Sequence, residues 1–371
     1  MNEGLKEYAI EELHAGMIVG RSVYDENDNE LIAEGTVLTN NIIVSLLDRP
    51  IFFVKIKMDD PVKKEVPQQK TVAAIYDGHV LDTHYVVKYQ NSFNALHNIF
   101  IMARRTSEID VEGILSIVKD DFFIEMIDGL KAITQIHNMV REGNYLIHHS
   151  IHVAILAGLM GHWLHMPDVR LRRLVVAGML HDIGKTRIAE NILDKPGKLS
   201  TSEFKIVSGH VDFGYKMLCH SSLKDETELL SAVKQHHERL DGSGYVDGLK
   251  GKDISEFARI IAILDMYDAM AANRVYAKKK SPFDVFGVLA DDIMAGKLDA
   301  EYGVLFIQKI CHSLNGNWVM LSNGKRGKIV YLDESRMQSL PIVQTSLGEF
   351  IDLNTTPDVK VSALLTEDEV N

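Results

Sequence analysis

Thiols are scarce in this 371-residue chain: Cys219 and Cys311 are its only cysteines, too few for a disulfide framework or a four-thiolate zinc site. A reducing compartment, the cytoplasm, is therefore expected. Proline is sparse, with 8 residues beside 26 glycines, and no internal repeat is sustained, so the chain is neither mostly disordered nor collagen-like. No run reaches the ~18 uninterrupted apolar residues of a membrane span. The opening MNEGLKEYAI lacks the basic region and apolar run of a secretory signal. Positive charge is in deficit: 40 Lys and Arg against 52 Asp and Glu give a net charge of -12. That balance excludes nucleic-acid binding through bulk basicity, while a local basic patch can still receive an anionic small substrate. At 46% hydrophobic and 25% charged residues, the composition is that of a folded chain long enough for two or three domains.

Hydrophobic periodicity divides the chain. Residues 1–58 form a β-rich module in which short alternating runs, Met17–Val23, Glu30–Ala33 and Ile51–Ile56, are separated by turn residues. Between them, Thr39 or Asn40 can cap a short helix that runs to Leu47. Residues 59–91 form a linker and connecting segment, polar and proline-bearing in DDPVKKEVPQQK. From about Ser92 the apolar spacing becomes three and four, as in Phe122–Ile136, Ile147–Leu164, Leu171–Leu180, Phe204–Leu218 and Phe257–Met270. Residues 92–314 are thus expected to be all-helical, with Gly184 as the stop of the helix that begins at Leu171. Alternation returns in NWVMLSNGKRGKIVYLD around Asn323-Gly324, a hairpin signal that makes residues 315–371 a β appendage and tail. The fold class is mainly α with small β modules at both ends.

Sixteen histidines are many for a chain of this size. The helical region carries His149, the pair His181-Asp182, His210, the pair His236-His237, and Asp265. Imidazole and carboxylate without thiolate suit manganese, iron or zinc. Most other histidines, His162 among them, read as packed or solvated side chains, and His148 and His152 remain ambiguous beside His149. The His181-Asp182 pair differs because it ends an apolar helix in MLHDIGK. An unpartnered polar group there costs roughly 2–7 kcal/mol.

MLHDIGK, with HHSIHVA upstream and AILDMYDAM downstream, resembles the HD superfamily of metal-dependent phosphohydrolases. HHERLDGSGY narrows the likeness to the HD-GYP branch, which is similar to bacterial cyclic di-GMP phosphodiesterases, over about residues 140–295. The likeness implies an HD-type helical domain in which His149, His181, Asp182 and Asp265 hold one divalent ion. Asp182, His210, His236 and His237 would hold a second, with Asp182 bridging and iron or manganese as the metals. Two such cations can carry a bridging hydroxide, clamp phosphate oxygens and offset charge on the leaving oxygen. The implied reaction opens cyclic di-GMP to pGpG, and onward to GMP.

Lys185 follows the Ile183-Gly184 turn, within reach of a phosphate beside the metals; a lysine that compensates the helix end is the alternative. The resemblance gives Asp268 and Arg274 to substrate binding, against the alternative of an ion pair holding the helix end. Glu238 is read as orienting a ligand histidine, and Tyr245 as either packing or lining the site. Three positions depart from the family pattern. Val246 stands where the family has proline, Tyr145 where some members place a third-metal glutamate, and Ala277 where a basic residue is usual, with Lys278 as its substitute. Two other readings follow: a catalytically weak cyclic-dinucleotide receptor, and an HD hydrolase of another cyclic dinucleotide or nucleotide. The β modules leave room for a homodimer or a signalling-protein partner, and scaffolding is an equal reading of them.

Overall fold

The computed structural model describes residues 5–9, 13, 17–24, 30–38, 42, 53–57, 74–76, 79–81, 83–119, 144–193, 195, 197–271 and 281–365. The chain divides into two compact units, Met1–Lys70 and Thr71–Asn371. In the first, β1 (Leu5–Ala9) pairs antiparallel with β4 (Phe53–Lys57), and β2 (Val23–Tyr24) pairs with β3 (Glu30–Ile32). Val54 and Ile56 alternate inward onto Val19, Val23, Ile32 and Leu38, the period of two expected of a half-buried strand. The expected strand Met17–Val23 is reduced to single bridges at Ile18 and Val19 ahead of β2. The expected helix to Leu47 (Ile42 apart), the linker Asp59–Lys70 and the helical run Phe122–Ile136 lie outside the described residues.

The second unit opens with a hairpin, β5 (Ala74–Tyr76) and β6 (His79–Leu81), then α1 (Thr83–Thr106) and α2 (Val111–Lys119). Helix thus begins at Thr83 rather than near Ser92. Tyr85, Tyr89, Phe93, Leu96 and Phe100 already follow a four-and-three spacing there. The helices that matter for the site follow: α3 (Tyr145–Trp163), α4 (Asp168–Leu180), α5 (Glu190–Leu193), α6 (Thr201–Ser208) and α7 (His210–Cys219). Then come α8 (Thr227–Gln235), α9 (Glu256–Ala271), α10 (Pro282–Met294) and α11 (Ala300–Leu314).

Helix α3 is buried on every side from Ile147 to Gly161, which makes it the central rod of the unit. Fully buried Ile151, Ile155 and Leu156 each contribute roughly 1.5–3 kcal/mol of transfer free energy. Against this rod α4 packs closely, with Gly178 facing the Val153 carbonyl and Ala157. Helix α4 stops at Leu180, and Gly184 sits in the following 3-10 turn, Ile183–Arg187. Gly184 is therefore not the helix stop. It lets two segments touch: a Cβ there would meet the His210 carbonyl oxygen at 1.9 Å and Gly214 N at 2.5 Å.

A five-stranded antiparallel sheet closes the chain, in spatial order β10 (Phe350–Asp352), β9 (Ile342–Thr345), β8 (Arg326–Tyr331), β7 (Trp318–Leu321), β11 (Val361–Leu365). The β7–β8 hairpin turns at Asn323-Gly324, where Gly324 has a φ of 80° and Gly324 N–H donates to the Leu321 carbonyl. Val319, Leu321, Ile329 and Val343 join the same hydrophobic core as the helices, so this sheet is built onto the helical body. No helix among the described residues is long and apolar enough to cross a membrane.

Candidate metal centre

Helix ends assemble the site. His181 follows the last residue of α4, His210 opens α7, and His236 follows α8. Carbonyls in the last turn of a helix lack intrahelical partners. Each of these rings uses one three residues back: the Nδ1–H of His181 donates to Gly178 O at 2.7 Å, that of His210 to Val207 O at 2.7 Å, and that of His236 to Val233 O at 3.0 Å. With Nδ1 protonated, each Nε2 turns a lone pair inward.

His149 lies inside α3, where the carbonyls are taken by the helix. Its Nδ1–H donates instead to Asp268 Oδ2 at 2.7 Å, from α9. Its Nε2 then sits 3.2 Å from His181 Nε2, 3.0 Å from Asp265 Oδ1 and 3.6 Å from Asp182 Oδ2. On the other side of Asp182, Oδ1 lies 3.1 Å from His210 Nε2 and 3.8 Å from His236 Nε2, and those two nitrogens are 3.4 Å apart. His237 Nδ1 is 3.8 Å from Asp265 Oδ2. Two groups result, each able to hold a metal ion: His149, His181 and Asp182, and Asp182, His210, His236 and His237.

The arrangement fits metals. Ligand atoms about 2.1 Å from one ion and at right angles to each other stand about 3 Å apart, close to the spacings seen. Nitrogen lone pairs that face one another and a carboxylate at that range repel unless a cation lies between them. Asp182 Oδ1 is buried with no hydrogen-bond partner among the described residues, an orphan that a cation would satisfy. The donor set is nitrogen and oxygen only, which suits iron, manganese and zinc.

Electrostatics agree. Burial opposes charge on His149, yet its hydrogen bonds with Asp265 and Asp268 outweigh burial and lift its pKa to about 9. A proton is thus favoured where a metal would stand. His237 goes the other way, lowered to about 3 by burial, with Asp265 only partly opposing. His236 is lowered by burial and by neighbouring His237. Burial alone would raise the Asp182 and Asp265 carboxyls, but Lys185 and His181 beside the first, and His149 beside the second, hold both well below the usual carboxylate range.

The structure brings together all seven residues expected at the metals. Lys185 Nζ lies 2.5 Å from Asp182 Oδ2 at the edge of the site. Asp268, expected to touch substrate, is instead fully buried behind His149, with its oxygens on His149 and His152. Arg274 and Lys278 lie outside the described residues. Glu238 does not orient a histidine: its carboxylate accepts the backbone N–H groups of Asp247, Gly248 and Leu249 and pins the loop after His237. Gly244 allows that loop to fold back, since a Cβ there would meet Glu238 Cα and the His237 carbonyl oxygen at 2.5 Å. Tyr245 stacks on His237 with ring centroids 4.7 Å apart, and Tyr145 stacks on His149 at 5.4 Å. Tyr89 is not legible as a site residue, because only the tertiary fold brings α1 to α3, whereas His152, ambiguous in the sequence, is placed on Asp268.

Residues 134–301 match the family model of the HD domain. The chain is 30% identical over 236 residues to a cyclic di-GMP phosphodiesterase of Pseudomonas aeruginosa, covering 64% of this chain and 56% of the relative. It is 29% identical over 242 residues to a cyclic di-GMP phosphodiesterase of Thermotoga maritima, covering 65% and 62%. The 3'3'-cGAMP-specific phosphodiesterase 2 of Vibrio cholerae is 34% identical over 170 residues, 46% of this chain and 31% of the relative. The chain thus spans less than two thirds of the length of these relatives. Among solved structures, Bd1817, a HDG"Y"P protein from Bdellovibrio bacteriovorus, superposes with a TM-score of 0.54 at 16% identity, over 81% of this chain and 98% of that one. That last likeness speaks to the fold. The resemblance read from the motifs is borne out: residues 134–301 of the helical body match the HD domain, and the curated relatives named above are cyclic-dinucleotide phosphodiesterases.

Proposed function

We propose that this chain is a metal-dependent phosphodiesterase that hydrolyses a cyclic dinucleotide, with cyclic di-GMP as the first substrate to test and pGpG or GMP as the product. One observation carries the reading: buried Asp182 turns one oxygen to His210 and His236 and the other to His149 and His181. That arrangement supports Asp182 as a carboxylate that would be shared by two cations. In this reading His149, His181, Asp182 and Asp265 hold one ion and Asp182, His210, His236 and His237 the other, iron or manganese. Bound there, the pair would supply positive charge for the phosphate and a water-derived nucleophile at neutral pH.

The chain's own groups do the rest. Helix-end carbonyls and Asp268 fix the imidazole tautomers, so no reorganisation is needed when charge develops. Lys185, half-buried and beside Asp182, offers an ammonium to a phosphate oxygen arriving from solvent. Arg274 and Lys278 are the proposed further anchors for the substrate's phosphates or guanines. Within the 3'3'-cGAMP-specific relative lies the ground for a second reading, a hybrid cyclic dinucleotide as substrate.

Chromatography of products after incubating the manganese-loaded full chain with cyclic di-GMP, 3'3'-cGAMP and cyclic di-AMP tests both readings. Linear product from cyclic di-GMP supports the first, and product from 3'3'-cGAMP alone supports the second. Intact dinucleotides throughout would leave a receptor that binds without turning over.

A further inference from the structure

Behind the metal centre lies a chain of buried polar side chains. Asp268 Oδ2 accepts from His149 Nδ1–H at 2.7 Å, and Asp268 Oδ1 lies 3.1 Å from His152 Nδ1. His152 Nε2 is 3.0 Å from the Tyr89 hydroxyl, which is also 2.9 Å from His148 Nδ1. Tyr89, His152 and Asp268 are fully buried, and His148 nearly so. One assignment of protons satisfies these four contacts with neutral rings: His149 and His152 donate from Nδ1 to the carboxylate, the Tyr89 O–H donates to His152 Nε2, and His148 Nδ1–H donates to the Tyr89 oxygen.

The other three inward-turned rings whose tautomers the structure fixes, His181, His210 and His236, are held by backbone carbonyls that any sequence would supply. His149 alone among these four is held by a side chain. That side chain also meets His152, whose Nε2 lies beside the Tyr89 hydroxyl, and Tyr89 sits on α1, outside the 134–301 span that matches the HD domain.

We propose that Tyr89 and His152 are positioning residues: through Asp268 they set the tautomer and angle of His149, so that this network supports the His149 site. The inference rests on the metal-dependent reading above. Losing Asp268 or His152 frees the His149 ring to rotate and to present Nδ1 instead of Nε2, so the ion at His149, His181, Asp182 and Asp265 binds more weakly. Among the described residues, no member of this hydrogen-bonded network contacts His210, His236 or His237.

Manganese(II) competition against a fluorescent chelator, on the whole 371-residue chain, reads the two sites separately. Asp268→Asn and His152→Ala should each weaken one of the two manganese sites about 10- to 100-fold and leave the other at the wild-type value. His152→Asn should retain most of the affinity, because its amide N–H can stand near the position of Nδ1–H and donate to Asp268. Tyr89→Phe, which keeps the ring's volume, should weaken the same single site by a smaller factor. A merely structural role predicts a lower melting temperature with both sites affected alike. That result, or two unchanged sites in Tyr89→Phe and His152→Ala, overturns the proposal. Wild-type protein that takes up no manganese would defeat the metal-dependent reading itself, and this inference with it.

Discussion

The Lys185 ammonium stands 2.5 Å from Asp182 Oδ2, joining a half-buried cation to a fully buried acid that both groups of histidines share. Lys185 is held there by the 3-10 turn Ile183–Arg187, which carries it back over the Asp182 side chain. The ammonium lies between the acid and solvent, where under the proposed function an arriving phosphate would meet it.

Lys185→Ala should therefore cut turnover while metal content stays at the wild-type value. One charge-stabilising contact in a water-poor site is worth about 100- to 1,000-fold in rate. Lys185→Arg should rescue poorly, because a planar guanidinium presents its charge differently from a compact ammonium. Metal-replete Lys185→Ala protein with wild-type kinetics would reduce Lys185 to a helix-end charge worth about 0.3–1 kcal/mol of stability.

Asp182→Ala should abolish hydrolysis and release metal from both sites, since each loses a shared oxygen. His162→Ala, on the exposed face near the end of α3, should leave both unchanged. Circular dichroism and metal analysis on the two variants check this together. Equal losses in both with the fold intact would mean the wrong histidines have been assigned.

A steric prediction concerns the turn below the site. Gly184→Ala drives a methyl into the His210 carbonyl and Gly214 N, and overpacking of this kind costs at least about 1–3 kcal/mol. Gly287→Ala, in α10 with no atom within 4 Å of its would-be Cβ, should instead be neutral or stabilise by about 0.5–1 kcal/mol. Urea unfolding of the two variants provides the comparison. Equal midpoints would show that the close approach of α7 to Gly184 is not a constraint.

Much of the centre was legible because its chemistry is local in sequence. His181-Asp182 and His236-His237 stand at helix ends, where periodicity stops and a polar pair needs a reason. Distance along the chain hid the rest. Asp268 sits three residues after Asp265 on the same helix, and it is the resemblance, not the spacing, that assigns it to substrate against an ion pair at the helix end. The fold turns it against His149 and His152 of α3, and nothing in the spacing tells one side of that turn from the other. Glu238 differs from its expected role of orienting a ligand histidine: its carboxylate satisfies three backbone N–H groups of the following loop, a partner set that only the folded loop supplies. The C-terminal hairpin was plain from Asn323-Gly324 and alternation. Its shared core with the helices was not, because strand patterning shows which face is apolar but not what covers it.

Metal uptake should release protons. In the metal-free protein His149 has its pKa raised to about 9, so near pH 7.5 it is protonated and must lose that proton to offer Nε2 to a cation. His237, lowered to about 3, and the two low carboxyls, Asp182 and Asp265, have none to give. The sign for stability follows: the metal-free fold keeps His149's contribution below about pH 6.5 and loses it as pH rises through about 9. Calorimetry of manganese binding in two buffers of different ionisation enthalpy should show proton release near pH 7.5. Heats that do not depend on the buffer would contradict the charged His149.

The metal content of the reduced, anaerobically prepared 371-residue chain tests the central claim most directly. Seven side chains with Asp182 shared between two groups predict two transition-metal ions per chain, iron or manganese, falling to none in Asp182→Ala. A value near three would bring Tyr145 or another group into a third site. One ion or none per wild-type chain, with no gain on adding metal, would contradict the two-ion centre and the phosphodiesterase built on it.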